Sequence, residues 1–253
     1  MKISLFLIGD EIISGEREDI NARYLMKSLG ERGIKLSEIL ITGDSEEEII
    51  KGVRFLSENS DIVITSGGLG LTPDDITIYA TAKAFNRKVI YDKTAEKFVK
   101  NSLKRIGRNL PEKPKSEFCR KISGAKLLEN FKGVAPGELI EENGKKIFVF
   151  PGVPKEFKDF VNRYILPEID KEKNENLHES EFLINAKESE VVEILRNVEK
   201  NYNVKTASYP PVLKTEKFLK IKLRGKKEEI KKAEVYFKEE LARKGIKIEK
   251  EIS

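Results

Sequence analysis

The sequence of 253 residues contains a single cysteine, Cys119, a single histidine, His178, and no tryptophan. One cysteine cannot form an internal disulfide, and together with one histidine it cannot supply the ligands of a Cys/His zinc site. His178 lies in the polar stretch KNENLHES, which is typical of a solvated linker. Cys119 has no histidine near it in sequence that would activate it as a nucleophile. Chemistry here must therefore use carboxylates, hydroxyls, lysine, arginine, backbone amides or a metal ion.

Long apolar runs are also missing, since no stretch of about 18 apolar residues occurs. The N-terminal MKISLFLIGDEIISG lacks the basic region, the longer apolar segment and the small-residue cleavage site of a secretory signal. Apolar residues make up 39% of the chain, which is enough for the core of one large domain or two smaller ones. The sequence predicts a globular, cytoplasmic protein without a membrane partner.

The first third of the chain alternates strand and helix patterns. The runs Ile3 to Ile8 and Asp61 to Thr65 are predicted strands of mainly apolar residues, and Asn21 to Arg32 carries its apolar residues on one helical face. Strands that are apolar on both faces and separated by amphipathic helices predict a mostly parallel sheet with helices on both sides, a three-layer α/β fold. Further on, Asn143-Gly144 between two extended runs predicts a hairpin.

A charged segment without apolar periodicity, DKEKNENLHES at residues 170 to 180, predicts a boundary between two domains, 1–170 and 181–253. The pattern after it reads β-α-β-β-α-β, with strands predicted at Glu181 to Asn185 and Lys217 to Arg224 among others. This order is that of a split-βαβ unit, so we expect a smaller α+β domain.

Three glycines, Gly67, Gly68 and Gly70, directly follow the predicted strand that ends near Ser66. In a parallel sheet, ligands bind where the chain leaves the carboxyl ends of the strands. Glycines there let successive backbone amides converge on an anion, and a following helix adds the positive end of its dipole. The loop therefore predicts a site for a phosphorylated small molecule.

The next four residues, Thr72-Pro73-Asp74-Asp75, are also a plausible helix start, with Thr72 as the N-cap and Pro73 in the first turn. On this pattern alone, capping and a functional role for the two aspartates are about equally good interpretations.

Further carboxylates follow two other predicted strands: Asp10-Glu11 the first, and Asp44 the second. Several carboxylates beside a phosphate repel one another unless a hard cation lies among them, and Mg²⁺ typically uses one or two carboxylates plus phosphate oxygens. The pattern predicts a site for a metal and a phosphate. Gly9-Asp10-Glu11 stands where a dinucleotide fingerprint would lie, so NAD as a redox cofactor is not expected, and neither is haem.

Two later segments, 133–137 (GVAPG) and 151–154 (PGVP), are candidate walls of the same cleft. From local sequence alone, an ordinary turn or a strand-to-helix connection is at least as good an interpretation of each.

Four motifs, IGDEIISGEREDINARYL, TSGGLGLTPDDIT, GVAPGEL and FPGVPKE, resemble those of the competence/damage-inducible CinA family in order and approximate position, from Ile3 to about Ile169. The N-terminal domain of that family is similar to molybdopterin-binding domains of molybdenum cofactor biosynthesis proteins. The region 181–253 looks like the KH-like small domain of the family. The sequence ends without the C-terminal domain that deamidates nicotinamide mononucleotide in bacterial members, so that activity is not expected.

The resemblance implies a pyrophosphatase that acts on ADP-ribose and depends on a divalent metal (Mg, Mn or Co), with K⁺ as a further candidate ion. It implies that Asp74, Asp75 and Glu11 are catalytic and that Asp10, Asp44 and Asp75 hold the metal. The implied phosphate or nucleotide contacts are Gly9, Ser14, Gly15, Asn21, Ser66, Gly67, Gly68, Gly70, Thr72, Gly133, Pro136, Gly137 and Gly152. Leu71, Val134 and Glu138 depart from the residues usual in the family, which are a proline, a threonine and an aromatic.

A nucleic-acid interface is a further hypothesis, because nine basic and three acidic residues lie between Lys214 and Lys232. Lys220, Lys222 and Arg224 alternate with apolar residues and place positive charge on one strand face. No G-x-x-G clamp or stacking pair accompanies them, so a solvated sheet face or a subunit contact is the better interpretation.

The sequence thus leads to two functional hypotheses. The first is a metal-dependent hydrolase that cleaves the diphosphate of ADP-ribose or a related nucleotide. The alternative is a molybdopterin- or nucleotide-binding protein, related to molybdenum cofactor biosynthesis, that does not hydrolyse its ligand. We also expect a homo-oligomer, with a dimer favoured.

Overall fold

A computed structural model describes residues 1–172, 177–211 and 217–252. The chain forms two compact units, Met1–Lys171 and Glu172–Ser253. Residues 173–176 of the charged segment that predicts a boundary lie outside the described residues, as does Lys214 of the basic stretch. Within the described ranges, no helix has the length and apolar character needed to cross a membrane.

The first unit contains eight strands and eight α-helices in its described residues, with one π-helical segment. In chain order they are β1 (Ile3–Ile8), α1 (Asp10–Ile13), α2 (Asn21–Gly30), β2 (Glu38–Thr42), α3 (Glu46–Asn59), β3 (Ile62–Ser66), α4 (Thr77–Ala84), β4 (Val89–Tyr91), α5 (Lys93–Ile106), α6 (Glu112–Glu117), β5 (Arg120–Ile122), β6 (Lys126–Leu128), β7 (Gly137–Glu142), β8 (Lys145–Phe150), α7 (Pro154–Phe160), the π-helical segment Val161–Ile165, and α8 (Leu166–Glu172).

Six of these strands form one sheet in the order β2-β1-β3-β8-β7-β6. The four strands β2, β1, β3 and β8 are parallel, whereas β7 runs antiparallel to β8 and β6 antiparallel to β7. Every residue of β1 and β3 is buried, as expected for strands with helices on both faces. The predicted mostly parallel α/β fold is confirmed.

Two apolar cores lie on opposite sides of this sheet. One contains Leu5 and Leu7 of β1 with residues of α2, α7 and the π-helical segment. The other contains Phe6 and Ile8 of β1 with residues of α3 and α4. Because successive side chains of a strand point to opposite faces, β1 contributes residues to both cores and connects them through the sheet.

The predicted hairpin is β7 and β8, joined at Asn143 and Gly144 with positive φ values of 50° and 76°. Positive φ at both central residues matches the twist of the flanking strands, which explains the Asn-Gly pair. The short elements α1, α6, β5 and β6 were not predicted, because three to six residues are too few to show a periodicity. Of these, α6 lies in the proline-containing stretch NLPEKPKSE, whose pattern indicates a loop.

In its described residues, the second unit forms a four-stranded antiparallel sheet in the order β10-β11-β9-β12, with two helices. Its elements are β9 (Leu177–Ile184), α9 (Glu188–Asn201), β10 (Val204–Tyr209), β11 (Leu219–Lys226), α10 (Lys227–Arg243) and β12 (Ile248–Ile252). The element order is the predicted one. The prediction of a linker at His178 is wrong, because His178 lies in β9 and pairs with Gly225 of β11. The pairing of these two strands extends back to Leu177.

Glu138 on β7 is a buried carboxyl group in the interior of the first unit, only 1% exposed. One of its oxygens accepts a hydrogen bond of 2.9 Å from the Ile122 amide. The other has no partner among the described residues. Burial raises the pKa of Glu138 to about 7, against the lowering effect of the Ile122 amide. Near neutral pH this group is therefore close to its titration midpoint.

The substitution Glu138→Gln should stabilise the protein in a pH-dependent way. The folded state holds the proton of Glu138 up to a pKa of about 7, whereas the ordinary value is 4.5. Wild-type stability therefore falls as the pH rises from 4.5 to 7, and glutamine avoids that loss. We expect the free energy of unfolding of the variant to exceed that of the wild type by about 3 kcal/mol above pH 7 and by little at pH 4. Urea denaturation at pH 4, 6 and 8 measures this difference.

The matched control is Glu141→Gln, which lies on the same strand with an exposed side chain. Its stability relative to the wild type should stay constant over the same pH range. A gap for Glu138→Gln that does not grow with pH would show that Glu138 is not a buried acid.

Candidate functional site

The loop between β3 and α4 is built on two glycines that no other residue could replace without a shift. Gly67 has a φ of 124°, and a Cβ there would lie 2.0 Å from the carbonyl oxygen of Ile8. Gly68 has a φ of 67°, and its Cβ would lie 2.0 Å from Oγ1 of Thr77. The Gly67 amide donates to the Phe150 carbonyl at 3.1 Å, which ties the start of the loop to the end of β8.

Four consecutive amides after this point, at residues 68–71, donate to no acceptor in the part of the chain that the structure describes. The loop is accessible at Gly70 and Leu71 and partly accessible at Gly68, so these donors are not all sealed inside the protein. Successive unpaired amides in a glycine loop form a concave donor site for an anion. This is the strongest feature of the predicted phosphate site.

The predicted helix start at Thr72 is wrong, because α4 begins at Thr77. Pro73 and Asp74 instead occupy a turn closed by the Asp75 amide, which donates to the Thr72 carbonyl at 2.9 Å. The Asp75 carboxylate accepts from the Thr72 amide at 2.8 Å and from the Thr72 hydroxyl at 2.5 Å. The helix begins later in the chain than predicted because the Thr77 amide donates to the Gly68 carbonyl at 3.2 Å. Through its hydrogen bonds to Thr72, Asp75 stabilises the shape of the loop.

The two acidic residues predicted after β1 and β2, Asp10 and Asp44, form reciprocal hydrogen bonds between side chain and backbone. The Asp10 amide donates to the Asp44 carboxylate at 2.9 Å, and the Asp44 amide donates to the Asp10 carboxylate at 3.1 Å. Gly43 lies beside them, and a Cβ there would lie 2.2 Å from Oδ1 of Asp10, so a larger residue would displace the Asp10 carboxylate. We call Asp10 and Asp44 the acidic pair.

Electrostatic interactions join further carboxylates to the acidic pair. Burial raises the pKa of Asp44 above its ordinary value, whereas the hydrogen bond from the Asp10 amide lowers it. The negative charges of Asp10, Asp74 and Glu11 raise it further. The structure thus places the carboxylates of Asp10, Glu11 and Asp74 within electrostatic reach of Asp44.

The donor chemistry of the acidic pair suits a hard cation that also binds phosphate oxygens. Each of its two carboxylates uses one oxygen for a backbone amide and keeps the other available. Among the described residues, no group of three or more His, Cys, Asp or Glu side chains is gathered closely enough to hold a metal ion. Two carboxylates are a ligand set that would fit an ion such as Mg²⁺, which takes one or two carboxylates and completes its shell with phosphate and water.

Asn21, at the start of α2, joins two of the predicted site segments. Its amide nitrogen donates to Oγ of Ser66 at 3.0 Å and to the Gly152 carbonyl at 2.8 Å. A Cβ on Gly152 would lie 3.2 Å from Cα of Gly67, so the two loops pass at close range. The Asn21 side-chain oxygen is buried and accepts no hydrogen bond within the described ranges. Asn21, Ser66 and Gly152 therefore lie together at the glycine loop.

The segment around Gly133 owes its shape to residues that the sequence did not single out. A Cβ on Gly133 would lie 2.1 Å from the Glu156 carboxylate. Asn130 accepts from the Gly133 amide at 2.7 Å and donates to Glu156 at 2.7 Å. Burial raises the pKa of Glu156. The only sequence signal was a glutamate in the first turn of α7.

The remaining predicted contacts have mostly local roles. Gly137 packs in the core, where a Cβ would lie 2.7 Å from the Phe160 ring, and the amides of Ser14 and Gly15 donate to α1 carbonyls. A Cβ on Gly9 would lie 2.5 Å from Oε2 of Glu11. Pro136 lines a cleft beside the glycine loop, together with Tyr79, Glu117 and others that the sequence did not indicate.

The predicted basic face of β11 is largely neutralised by acidic residues of β9. Lys222 contacts the Glu179 carboxylate at 2.5 Å and Glu181 at 3.3 Å, and Arg224 also pairs with Glu179. Lys220 lies 3.5 Å from Glu181. These contacts support a solvated sheet face rather than a free cationic strip.

Comparison with known proteins identifies the family of the first unit. A family model described as a probable molybdopterin binding domain matches residues 4–171. The chain belongs to this family. Residues 176–250 match a second model, described as the middle domain of FAD synthase. The resemblance of the second unit to a KH-like domain stays a prediction.

The relatives of this chain include CinA-like proteins. The CinA-like protein of Kosmotoga olearia is 35% identical over 175 residues, which cover 69% of this chain and 42% of the relative. The chain likewise spans 42% of the competence-damage inducible relatives from Clostridium kluyveri. Protein TK1472 of Thermococcus kodakarensis is 34% identical over 83% of this chain and 86% of its own length. The crystal structure of CinA from Thermoplasma acidophilum, described as of unknown function, has a TM-score of 0.59 and 28% identity, covering 68% of this chain and 96% of its own.

Replacing Gly68 with alanine should weaken anion binding at the glycine loop. The left-handed φ costs about 1–2 kcal/mol for a residue with a Cβ, and the contact with Thr77 forces the loop to move. We expect the affinity for inorganic pyrophosphate, measured by calorimetry, to fall at least about tenfold when one of four amides is misdirected.

The matched control is Gly144→Ala in the β7–β8 turn, where φ is 76° and a Cβ would meet nothing within 4 Å. This variant pays a similar conformational cost and should bind pyrophosphate as the wild type does. Equal pyrophosphate affinity in the two variants would show that the glycine loop is not the anion site.

Proposed function

We propose that the first unit binds the phosphate groups of a nucleotide or pterin at the glycine loop and hydrolyses the diphosphate of ADP-ribose or a related nucleotide with the help of a divalent cation. The single observation that carries the proposal is the run of four unpaired amides at residues 68–71 in the unit that also holds the Asp10–Asp44 pair. Membership in a family described as probable molybdopterin binding domains supports a ligand with a ring and a phosphate.

The glycine loop would hold and orient the diphosphate. Backbone amides are fixed dipoles, so they stabilise phosphate oxygens without reorganising as charge develops in the transition state. Asp75 keeps the loop in shape through its two hydrogen bonds to Thr72. The buried bridge from Asn21 to Ser66 and Gly152 keeps the neighbouring loops from moving apart.

The acidic pair would hold Mg²⁺, Mn²⁺ or Co²⁺ together with oxygens of the diphosphate. When bound, such a cation offsets the charge on the diphosphate and lowers the pKa of a coordinated water. Asp74 is exposed on the turn after the glycine loop, and its charge acts on Asp44. It is therefore the carboxylate we assign as the base that takes a proton from the attacking water. Glu11, whose charge also acts on Asp44, is the second candidate for this role.

A second candidate function is binding of a pterin or nucleotide without hydrolysis. The observation that favours it is the match of residues 4–171 to a family model whose description names binding alone, a probable molybdopterin binding domain. A binding protein needs the anion site and a place for the ring, but not the cation.

The substitution Asp44→Asn tests the hydrolase proposal. Purified protein is incubated with ADP-ribose and Mg²⁺, Mn²⁺ or Co²⁺, and AMP and ribose phosphate are quantified. We expect the wild type to form both products and Asp44→Asn to form them roughly 100-fold more slowly. The neutral amide lacks the negative charge with which Asp44 would attract and hold the cation.

Asp61→Asn is the matched control, since Asp61 directly precedes β3 at the opposite end of the sheet and accepts from the Lys2 amide. It should turn over ADP-ribose at the wild-type rate. Absence of both products with all three metals would overturn the hydrolase proposal. Tight calorimetric binding of a pterin diphosphate without turnover would then support the second candidate.

A further inference from the structure

The large sheet of the first unit ends on one side at β2, which pairs with β1 alone among the described strands. Ile39 and Ile41 of this strand are 41% and 45% exposed. Proteins protect the edge strands of their sheets by shortness, bulges, charged side chains or a covering element, because an open edge pairs with other chains. The five residues of β2, EILIT, include no lysine or proline, and their register with β1 is unbroken.

The other edge strands that the structure describes carry such protection. β4, β5 and β6 have three residues each. In β10 the Thr206 amide donates to the Glu199 carboxylate of α9 at 2.7 Å, so a donor of that strand is already occupied. β12 carries the alternating charges of Glu249, Lys250 and Glu251, and its pairing with β9 is interrupted by a register shift. Within the described ranges, β2 is therefore the edge that is left open.

The exposed isoleucines of β2 lie on one face of the sheet. Ile39 is in register with Leu5 of β1, and Ile41 with Leu7. Leu5 and Leu7 belong to the core beneath α2, so the two isoleucines continue that apolar layer to its exposed margin. Leu40 lies on the other face and packs against the second core. β2 thus combines an apolar row with an unpaired backbone edge.

We propose that the β2 edge binds a second copy of this chain, by antiparallel pairing of the two β2 strands about a two-fold axis. A two-fold dimer presents the same surface from both copies, so the paired strands run in opposite directions. With Leu40 on the axis, Ile39 of each copy lies opposite Ile41 of the other, and Glu38 lies opposite Thr42. Opposed side chains of an antiparallel pair are about 4.5–5.5 Å apart, so the four isoleucines form one continuous row.

The charges that flank β2 favour a second copy as the occupant. Lys35, three residues before the strand, is exposed and makes no ion pair in the part of the chain that the structure describes. The segment after the strand is acidic, with Asp44 and then the glutamates 46–48 in the first turn of α3. The same register brings Lys35 of each copy to residue 45 of the other, among these carboxylates. Opposite charges therefore meet at both ends of the paired strands, which favours this orientation.

The test is the mass of the full chain in solution, measured by sedimentation equilibrium over a range of protein concentrations. We expect a species of twice the 28.9 kDa chain mass. In Ile41→Lys the dissociation constant of this dimer should rise at least about 100-fold, because the lysine would be buried opposite an isoleucine without a partner charge. Ile41 is exposed in the single chain, so the variant should keep the circular dichroism spectrum and melting temperature of the wild type.

The matched control is Ile90→Lys, which changes an isoleucine of equal exposure, 41%, on the short strand β4. It should form the dimer as the wild type does. In Lys35→Glu the dissociation constant should rise about tenfold, because the flanking charges then repel.

A cysteine scan tests the register. Leu40→Cys places a thiol on the axis opposite its own copy, so mild oxidation should cross-link the dimer through a disulfide. Ile39→Cys lies opposite Ile41 instead and should cross-link much more slowly. The native Cys119 is buried and should give little background.

Four outcomes would overturn the inference. These are a monomer at every concentration, a dimer that Ile41→Lys leaves intact, equal weakening by Ile90→Lys, and faster cross-linking of Ile39→Cys than of Leu40→Cys. None of these measurements involves a ligand, so their failure is distinct from failure of the proposed function.

Discussion

The close approach of three strand ends at Gly67 is the constraint on which the rest of the site depends. The position of its missing Cβ is taken by the Ile8 carbonyl at the end of β1, and Gly152 after β8 passes almost as near. Its amide is also bound by Phe150. The first residue of the loop is fixed in this way, and the next four amides have no acceptor among the described residues. Asn21 stabilises the same junction through its hydrogen bonds to Ser66 and Gly152. A side chain at this point would separate the loops whose proximity makes the site.

Charge is handled differently in the two units. In the first, the acidic pair is stabilised by backbone amides instead of by cations, so its negative charge remains to attract a positive ion. In the second, Lys222 and Arg224 are matched to Glu179 across the β9–β11 ladder. Cross-strand pairs of opposite charge support a sheet, and they leave little net field for a polyanion. The excess of basic residues in this part of the sequence therefore does not translate into an open cationic surface on this strand.

The sequence predicted the features that depend on local pattern. The periodicity of apolar residues predicted the strands, and the geometry of a two-residue turn predicted the hairpin at Asn143-Gly144. The need for positive φ predicted the loop at Gly67 and Gly68. The start of α4 was missed because Thr77 donates to Gly68, a contact nine residues back that competes with helix capping. Glu117, Arg120 and Tyr79 were missed because they meet only through the packing of α4, α6 and β5. Asn130 and Glu156, which shape the loop at Gly133, are 26 residues apart.

The strand order β2-β1-β3 has a consequence for where a ligand can enter. The chain leaving β1 continues into α2 on one face of the sheet, whereas the chain leaving its neighbour β3 continues into α4 on the other. The two connections diverge, so a crevice opens between adjacent strands before any side chain is considered. The strand order of the sheet thus creates the opening, and the glycines and aspartates around it determine which ligand it can bind. Substitutions at those residues alone could change the ligand specificity of a protein with this topology, while its core stays the same.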